Sequence, residues 1–335
     1  MKSKKRYLLG GGIVFLIALL LVAFVPISYY SFSPGDAIAV DTQIHLNRAS
    51  AMGQGHIFMT DVTLTQLTLG LDLVDSFNKY VDVYPATAIF GATNPGQIVT
   101  QQVGQMIDAK SAAVIAAYSY AGRRLTLTPG VEVVATLPKT SPSILPGDLI
   151  VAVDGRSATT LQAVAQGIAK AGPLLTLTVL RSSAMVGAPV TKTLEVKKFG
   201  YQGRQIVGVT LAPSETVELQ HPFSIETGQI GGPSAGLAFT LGILQQLGVI
   251  NVSRGAKVAV TGTISPDGAV GDVGGVKQKA VAVYDAGVRL FLVPPVEVAA
   301  AKSAGLKGLT VVGVQTLSQA IDQLKKYKVL LPALH

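Results

Sequence analysis

Two side chains in the last third of the chain have types and settings that suit nucleophilic chemistry. Ser234 lies in the glycine-rich run GGPSAG, directly before a stretch with helical apolar spacing, and Lys277 opens a later apolar-flanked helix. A serine hydroxyl is a weak nucleophile and needs a base. Lysine can be that base when burial lowers its pKa. The pair predicts a dyad of Ser234 and Lys277, although a simple tight turn and a surface lysine remain open alternatives.

The glycines beside Ser234 predict an oxyanion-binding and substrate-binding turn formed by Gly231, Gly232 and Ala235. Glycine permits close approach of a substrate backbone, and N–H groups at a helix start can face a developing negative charge. His221 is a rival base upstream of Ser234, but no orienting acid pair stands near it.

Alternating strands and helices must position these residues. Apolar periodicity and turn residues predict strands at 37–46, 56–63, 257–264 and 289–293, and helices at 97–120, 237–247, 276–286 and 317–325.

The middle of the chain, from 124 to 199, is predicted to form a compact unit of its own. Strands are expected at 131–137, 149–153, 174–181 and 190–196, with a helix at 160–170. The run SPSILPGDLIVAVDGRSATTLQAVAQGI resembles the PDZ pattern. The resemblance implies a peptide-binding groove, with its carboxylate-binding loop expected at 124–131. A PDZ fold used only as a spacer or lid is the alternative.

The segment around Ser234 is similar to the catalytic segment of the Lon-type proteases. The resemblance rests on IGGPSAGLAFTLGIL and on VAVTGTISPDGAVGDVGGVKQKAVAVYDAGVRLFLVP. It implies that Ser234 is the nucleophile, Lys277 the general base and Thr261 a support for the lysine amine. This chain has Gly231 at the position where cytoplasmic Lon enzymes carry an aspartate. In this respect the chain resembles the membrane-anchored Lon-like branch better.

Earlier segments, GQGHIFMTDV and QMIDAKSAAVIAAYSYAG, also resemble the first part of a Lon protease domain. The predicted fold is therefore α/β (α+β), with one Lon-type protease domain formed by residues 31–122 and 200–335. The PDZ-like, β-rich unit at 124–199 would be inserted into it. Three independent domains are the alternative.

The amino-terminal region predicts a membrane anchor. Residues 1–6 are basic, the run from Tyr7 to Val25 is apolar and uncharged, and Tyr29 and Tyr30 follow it. This pattern predicts a single-pass transmembrane helix at 7–28 with the bulk of the chain outside the cytoplasm. A cleaved signal peptide is the alternative.

Composition and residue types argue against nucleic-acid, metal and cofactor binding. The net charge of +8 comes partly from the basic residues before the apolar run, so no nucleic-acid partner is predicted. Cysteine is absent, the four histidines have no metal-ligand spacing, and no cofactor is expected. The sequence contains no GxxxxGK[ST] phosphate loop.

These features together predict an ATP-independent serine endopeptidase that cleaves unfolded or extended polypeptides at the extracytoplasmic membrane face, with no metal. Polypeptides would be recruited through the PDZ-like unit, and an oligomer is compatible with the sequence. The alternative is a catalytically inert PDZ-type scaffold of the cell envelope. A phosphate-binding role for the turn at Ser234 is disfavoured, because no basic residue stands near it.

Overall fold

The computed structural model describes residues 24–45, 55–71, 78–91, 95–181, 185–219, 222–228 and 230–330. Within this part of the chain, helices and strands alternate in a mixed α/β architecture. The first segment contains β1 (Pro26–Ala39), a 3-10 turn (Val40–Thr42), β2 (Ile44–His45), β3 (His56–Thr68), β4 (Asp82–Pro85), α1 (Ala86–Phe90) and α2 (Pro95–Tyr120).

The middle segment is rich in strands. It contains β5 (Thr126–Thr136), β6 (Leu149–Val153), β7 (Arg156–Ser157), α3 (Leu161–Lys170), β8 (Leu174–Arg181), β9 (Met185–Val186), β10 (Val190–Lys197), β11 (Phe199–Tyr201), β12 (Arg204–Ile206) and β13 (Val209–Glu218).

The last segment alternates short strands with helices. It contains β14 (Phe223–Ile225), a 3-10 turn (Pro233–Ala235), α4 (Gly236–Gln246), β15 (Lys257–Val260), β16 (Thr263–Ile264), β17 (Val270–Gly271), α5 (Val276–Asp285), β18 (Leu290–Val293), a 3-10 turn (Pro295–Glu297), α6 (Val298–Ser303), β19 (Thr310–Gly313) and α7 (Leu317–Lys326).

One sheet combines the first and last segments, in the order β19-β18-β15-β3-β1-β4. Strands β1 and β3 form a long antiparallel pair, whereas β15 lies parallel to β3 and pairs Lys257 with His56. Helix α4 packs against α2 and β3. Every residue of α4 is buried, as expected for a helix that is apolar on all sides. The chain thus returns to its first sheet after the middle segment.

A second sheet, in the order β10-β8-β6-β5-β13, has a separate apolar core. Helix α3 begins at the predicted place, because the Thr160 side chain accepts a hydrogen bond from the backbone N–H of Ala163. The buried Asp148 carboxylate accepts two hydrogen bonds from Arg181, both at 2.6 Å, which compensates its desolvation.

The border of this second unit lies later than the sequence predicts. Strand β13 pairs with β5 from Val209 opposite Thr136 to Glu218 opposite Thr126. A division at residue 199 would therefore remove β13 from the sheet that satisfies its backbone hydrogen bonds. The loop expected at 124–131 is likewise replaced from Thr126 onward by strand β5.

The amino-terminal expectations also need correction. Residues 26–28 of the predicted span belong to β1, because Pro26 pairs with Thr68 and the ladder continues along β3. The strand predicted at 37–46 is divided by the 3-10 turn, which separates β1 from β2. Among the described residues no helix has the length and apolar character to cross a membrane, and residues 1–23 of the predicted flank and span lie outside them.

Candidate active site

Ser234 sits in a 3-10 turn that leads directly into the buried helix α4. Gly232 precedes this turn with φ 86°, a left-handed conformation that a side chain would strain. The carbonyl oxygen of Ser234 accepts hydrogen bonds from the N–H of Gly262 at 3.0 Å and from the Thr261 hydroxyl at 3.3 Å. The backbone at Ser234 is therefore tied to the segment that follows β15.

Lys279, in the first turn of α5, is the lysine that the fold brings to this serine. Lys279 and Ser234 line the same cleft, and the Lys279 Nζ donates a hydrogen bond to the Thr261 hydroxyl at 3.3 Å. The Lys279 side chain is almost fully buried, since the residue is only 3% exposed. Burial lowers the pKa of Lys279 to about 8, against the opposing charges of Asp61 and Glu297.

Lys277, the predicted general base, points elsewhere, and this assignment is corrected. Its ammonium group donates to the Asp82 carboxylate at 2.7 Å and lines a different cavity, between β4 and the start of α5. The same carboxylate accepts a hydrogen bond from the Gln278 side chain at 2.7 Å. The Lys277 amine is thus engaged by Asp82 and lies outside the cleft that Ser234 lines.

Thr261 occupies the position between the two candidate catalytic residues. Its side chain is fully buried, and its hydroxyl both accepts from Lys279 and donates to the Ser234 carbonyl. The predicted support of a lysine amine by Thr261 thus applies to Lys279. Because Thr261 contacts both residues, it orients the Lys279 amine and fixes its position relative to the turn that contains Ser234.

The cleft that contains Ser234 and Lys279 has a volume of about 570 Å³. Six consecutive residues of β3, from Met59 to Leu64, form one wall. The hydroxyl of Thr60 is buried and has no hydrogen-bond partner among the described residues. The opposite walls are mainly apolar and come from α2 and from the turn before Ser234; they include Ile98, Met106 and Ile230.

The three residues predicted for the oxyanion and substrate turn differ in their positions. Gly231 and Ala235 line the cleft beside Ser234. The N–H of Gly232 instead donates to the backbone carbonyl of Gln102 on α2, at 3.0 Å. Gly231 also lies close to that helix, since an added Cβ would stand 3.1 Å from the Gln102 Cβ. In this structure the N–H of Gly232 is therefore engaged within the protein.

Sequence reasoning missed three acidic residues around the lysines. Asp61 lies on the cleft wall and accepts a hydrogen bond from the backbone N–H of Asp36 at 2.6 Å. Glu297, beside α6, acts on Lys279 through its charge, and Asp82 pairs with Lys277. Because these three acidic residues lie outside α5 in the sequence, the local pattern of α5 does not predict their interactions with its lysines. The rival base His221 lies outside the described residues.

One local signal could have distinguished the two lysines. Residues Val276, Ala280 and Val283 form one apolar face of α5 and are all buried; residues on other sides of the helix, such as Gln278 and Val281, are buried as well. Lys279 is three residues after Val276 and next to Ala280, so helical spacing places it on that face. Lys277 directly follows Val276 and therefore lies at the edge of this face.

Comparisons with known proteins agree with the resemblance. Residues 226–324 match the family model described as the Lon protease (S16) C-terminal proteolytic domain. The Lon protease of Ureaplasma parvum is 30% identical over 152 residues, which are 41% of this chain and 19% of the relative. Lon protease 2 of Bacillus subtilis is 33% identical over 95 residues, 28% of this chain and 17% of the relative.

A shorter match lies in the Lon protease of Mycoplasmopsis agalactiae, which is 40% identical over 63 residues, 19% of this chain and 6% of the relative. The chain thus spans less than a fifth of the length of these curated relatives. The matched region includes Ser234, Thr261 and Lys279. Residues 226–324 of this chain are thus similar to the Lon protease (S16) C-terminal proteolytic domain.

Proposed function

We propose that this chain is a serine endopeptidase in which Ser234 is the nucleophile and Lys279 the general base. The observation that carries the proposal is the setting of Lys279. Its amine is buried in the cleft of Ser234 with a lowered pKa, and no carboxylate of the described residues lies within ion-pair distance of it. An amine with a pKa of about 8 is partly neutral near neutral pH, and only the neutral amine can accept a proton.

In the proposed reaction, the Lys279 amine takes the proton of the Ser234 hydroxyl as the oxygen attacks a peptide carbonyl. The resulting ammonium then delivers that proton to the leaving amine, which leaves an acyl-enzyme ester on Ser234. Water, deprotonated by the same amine, then attacks the ester, and the ammonium returns this proton to the leaving Ser234 oxygen, which releases the acid product and restores the enzyme. Thr261 holds the amine in both steps. Asp61 and Glu297 stabilise the transient ammonium, because their charges favour it.

The substrates that this cleft suits are unfolded or extended polypeptides, cleaved without ATP. An extended chain can lie along a wall formed by consecutive strand residues, and a folded domain cannot. The buried Thr60 hydroxyl offers such a chain a hydrogen bond that the described protein does not supply. The absence of a phosphate loop from the sequence supports ATP-independent cleavage by this chain.

Recruitment of polypeptides by the second unit is part of the proposal. Strand β13 ends the order of the second sheet, and α3 packs beside it. This combination of an edge strand and a helix suits an added peptide strand. We place the PDZ-like groove between α3 and Val209–Ala212, in place of the loop expected at 124–131. Peptides would then bind through the edge of β13.

The proposed location is the extracytoplasmic face of a membrane, with the apolar run before Val25 as the anchor. The basic residues before that run support this orientation. The second candidate function remains an inert envelope scaffold that binds peptides through β13. It is favoured only by the engagement of the Gly232 N–H with Gln102, because that donor does not face the cleft in this structure.

The deciding experiment compares cleavage of an unfolded protein by the purified chain and by three variants. Ser234→Ala and Lys279→Ala should each abolish cleavage, and their double variant should be no worse, because the two residues act as one unit. Lys277→Ala is the matched control and should remain active. Cleavage that persists in Ser234→Ala, in preparations free of other proteases, would overturn the assignment of the nucleophile, whereas absence of cleavage by the unsubstituted chain would leave the scaffold function standing.

A further inference from the structure

An exposed apolar surface surrounds the end of the β1–β3 pair at which the described chain begins. Its members are 44% to 74% exposed, although each is a large apolar or aromatic residue. They are Phe24, Val25, Tyr29, Leu69, Leu71 and Tyr84. We call this surface the apolar rim.

The strand register shows that the rim residues lie at one end of the sheet. Pro26 pairs with Thr68, and the N–H of Leu69 donates to the carbonyl of Val25 at 3.2 Å. On the other side of β1, Tyr29 lies opposite Pro85, next to Tyr84. The rim therefore combines the start of β1, the chain just after β3, and β4.

The apolar run from Tyr7 to Val25 joins the protein at this rim. That run ends where β1 starts, so the rim is continuous with it along the chain. Tyrosines and leucines beside such a run are typical of the membrane–water interface, where amphipathic rings and apolar side chains contact headgroups. A rim of this composition exposed to water alone would be costly.

We propose that the apolar rim docks on the headgroup region of a lipid bilayer and thereby places the substrate cleft next to the membrane. The proposal rests on the proteolytic function and on the anchor proposed above. Phe32 and Leu64, which pair across β1 and β3, line the cleft. Phe32 is three residues beyond Tyr29, so the cleft begins at most about 10 Å from the rim. The favoured substrates are then polypeptide segments just outside a membrane.

The absence of native cysteine allows a direct test of docking. In the full chain carrying Ser234→Ala, single cysteines at Tyr29→Cys and Leu71→Cys receive an environment-sensitive dye. The protein is reconstituted in phosphatidylcholine–phosphatidylglycerol vesicles. The control is Leu174→Cys, on the second unit, where the native leucine is 59% exposed. Dyes at the rim should shift to shorter wavelength and be quenched by brominated lipid, whereas the control dye should not.

Equal quenching at the rim and at the control position would overturn the proposal. So would a rim signal that disappears when the protein is diluted with excess lipid, because that result indicates a second copy of the chain on the rim. The inactive Ser234→Ala background keeps this readout independent of proteolysis. Failure of the catalytic assignment would therefore leave the docking result intact.

A functional measurement completes the test. Vesicle-anchored peptides carry a cleavable stretch after a spacer of either about 5 or about 30 extended residues, which reach about 17 Å and 100 Å. The otherwise unsubstituted chain should cleave the short-spacer peptide several-fold faster. The rim variants Tyr29→Ser and Leu71→Ser should lose that preference and still cleave a soluble peptide normally. Equal rates on both spacers in the unsubstituted chain would contradict the proposal.

Discussion

The two lysines in the first turn of α5 have opposite environments although only one residue separates them. Lys277 is a quarter exposed and forms an ion pair with Asp82, whereas Lys279 is buried and contacts the neutral Thr261 hydroxyl. The pKa of Lys279 is lowered, and the pKa of Asp82 is lowered as well. The comparison shows that the position of a lysine around a helix sets whether its amine is buried beside a hydroxyl or paired with a carboxylate.

Removal of each lysine in turn is the strongest test of this comparison. Lys279→Met should reduce kcat by at least about 100-fold, the usual contribution of a general base. Lys277→Gln should stay within about fivefold of the unsubstituted chain, because a partly exposed ion pair contributes about 1 kcal/mol or less. Cleavage of an unstructured fluorogenic peptide measures both. The reverse ranking, with both variants folded by circular dichroism, would return the role of base to Lys277.

The pH dependence of kcat/KM should report the buried lysine. The base must be neutral, so activity should rise with pH through the lowered Lys279 pKa of about 8 and level off above it. Lys277→Gln should leave the midpoint unchanged. Asp61→Asn should move it downward, because the Asp61 charge raises the pKa of Lys279. An upward shift in Asp61→Asn would show that this carboxylate does not act on the base.

Thr261→Val should have a smaller effect than loss of Lys279. The isosteric change preserves volume in the buried site and removes the hydroxyl contacts to Lys279 and to the Ser234 carbonyl. Two lost hydrogen bonds at about 1 kcal/mol each correspond to a kcat about 30-fold lower. Steady-state kinetics measures the change. A fall in activity that is matched by loss of thermal stability would instead indicate a purely structural threonine.

The smallest effect is expected from removal of the ion pair between Asp82 and Lys277. Burial tends to raise the pKa of Asp82, but hydrogen bonds from Lys277 and Gln278 and the charge of Lys277 outweigh it, so the net pKa is lowered. The ionised Asp82 carboxylate therefore stabilises the folded protein above the unfolded-state pKa of about 3.9. This stabilisation is lost as pH falls through the lower folded-state pKa. Asp82→Asn should lower Tm slightly at pH 7, and the difference from the unsubstituted chain should shrink towards pH 3. A difference that grows on acidification would contradict this sign.

Local sequence signals predicted much of the catalytic segment. The glycine-rich turn placed Ser234 at a helix start, and apolar spacing placed α4, α5 and α7 within a few residues of their observed bounds. The prediction of Lys277 as the base rested on its place in the motif and did not use helical phase. The phase was readable from Val276 and Ala280, which are on the apolar face of α5.

Other features depend on contacts that local patterns do not contain. Asp82 meets α5 only because β4 pairs with β1 at the edge of the first sheet. Strand β13 joins the second sheet through β5, although strands β6 to β12 lie between these two along the chain. Such pairings follow from tertiary packing, which overrides local preference in strands. They explain why the pairing of β13 with β5 and the contact of Asp82 with α5 were not predicted.

The shared first sheet has a consequence for how the chain folds. Strand β3 receives its parallel neighbour β15 only after the whole middle segment has been synthesised, and the side chain of Gln245 reaches back to the carbonyl of Gly55. Closing so long a loop is entropically costly, and such non-local pairing slows folding. Early folding of the second unit would shorten the effective loop by bringing β5 and β13 together. Until then, β1 and β3 form a hairpin whose edge is exposed to other chains.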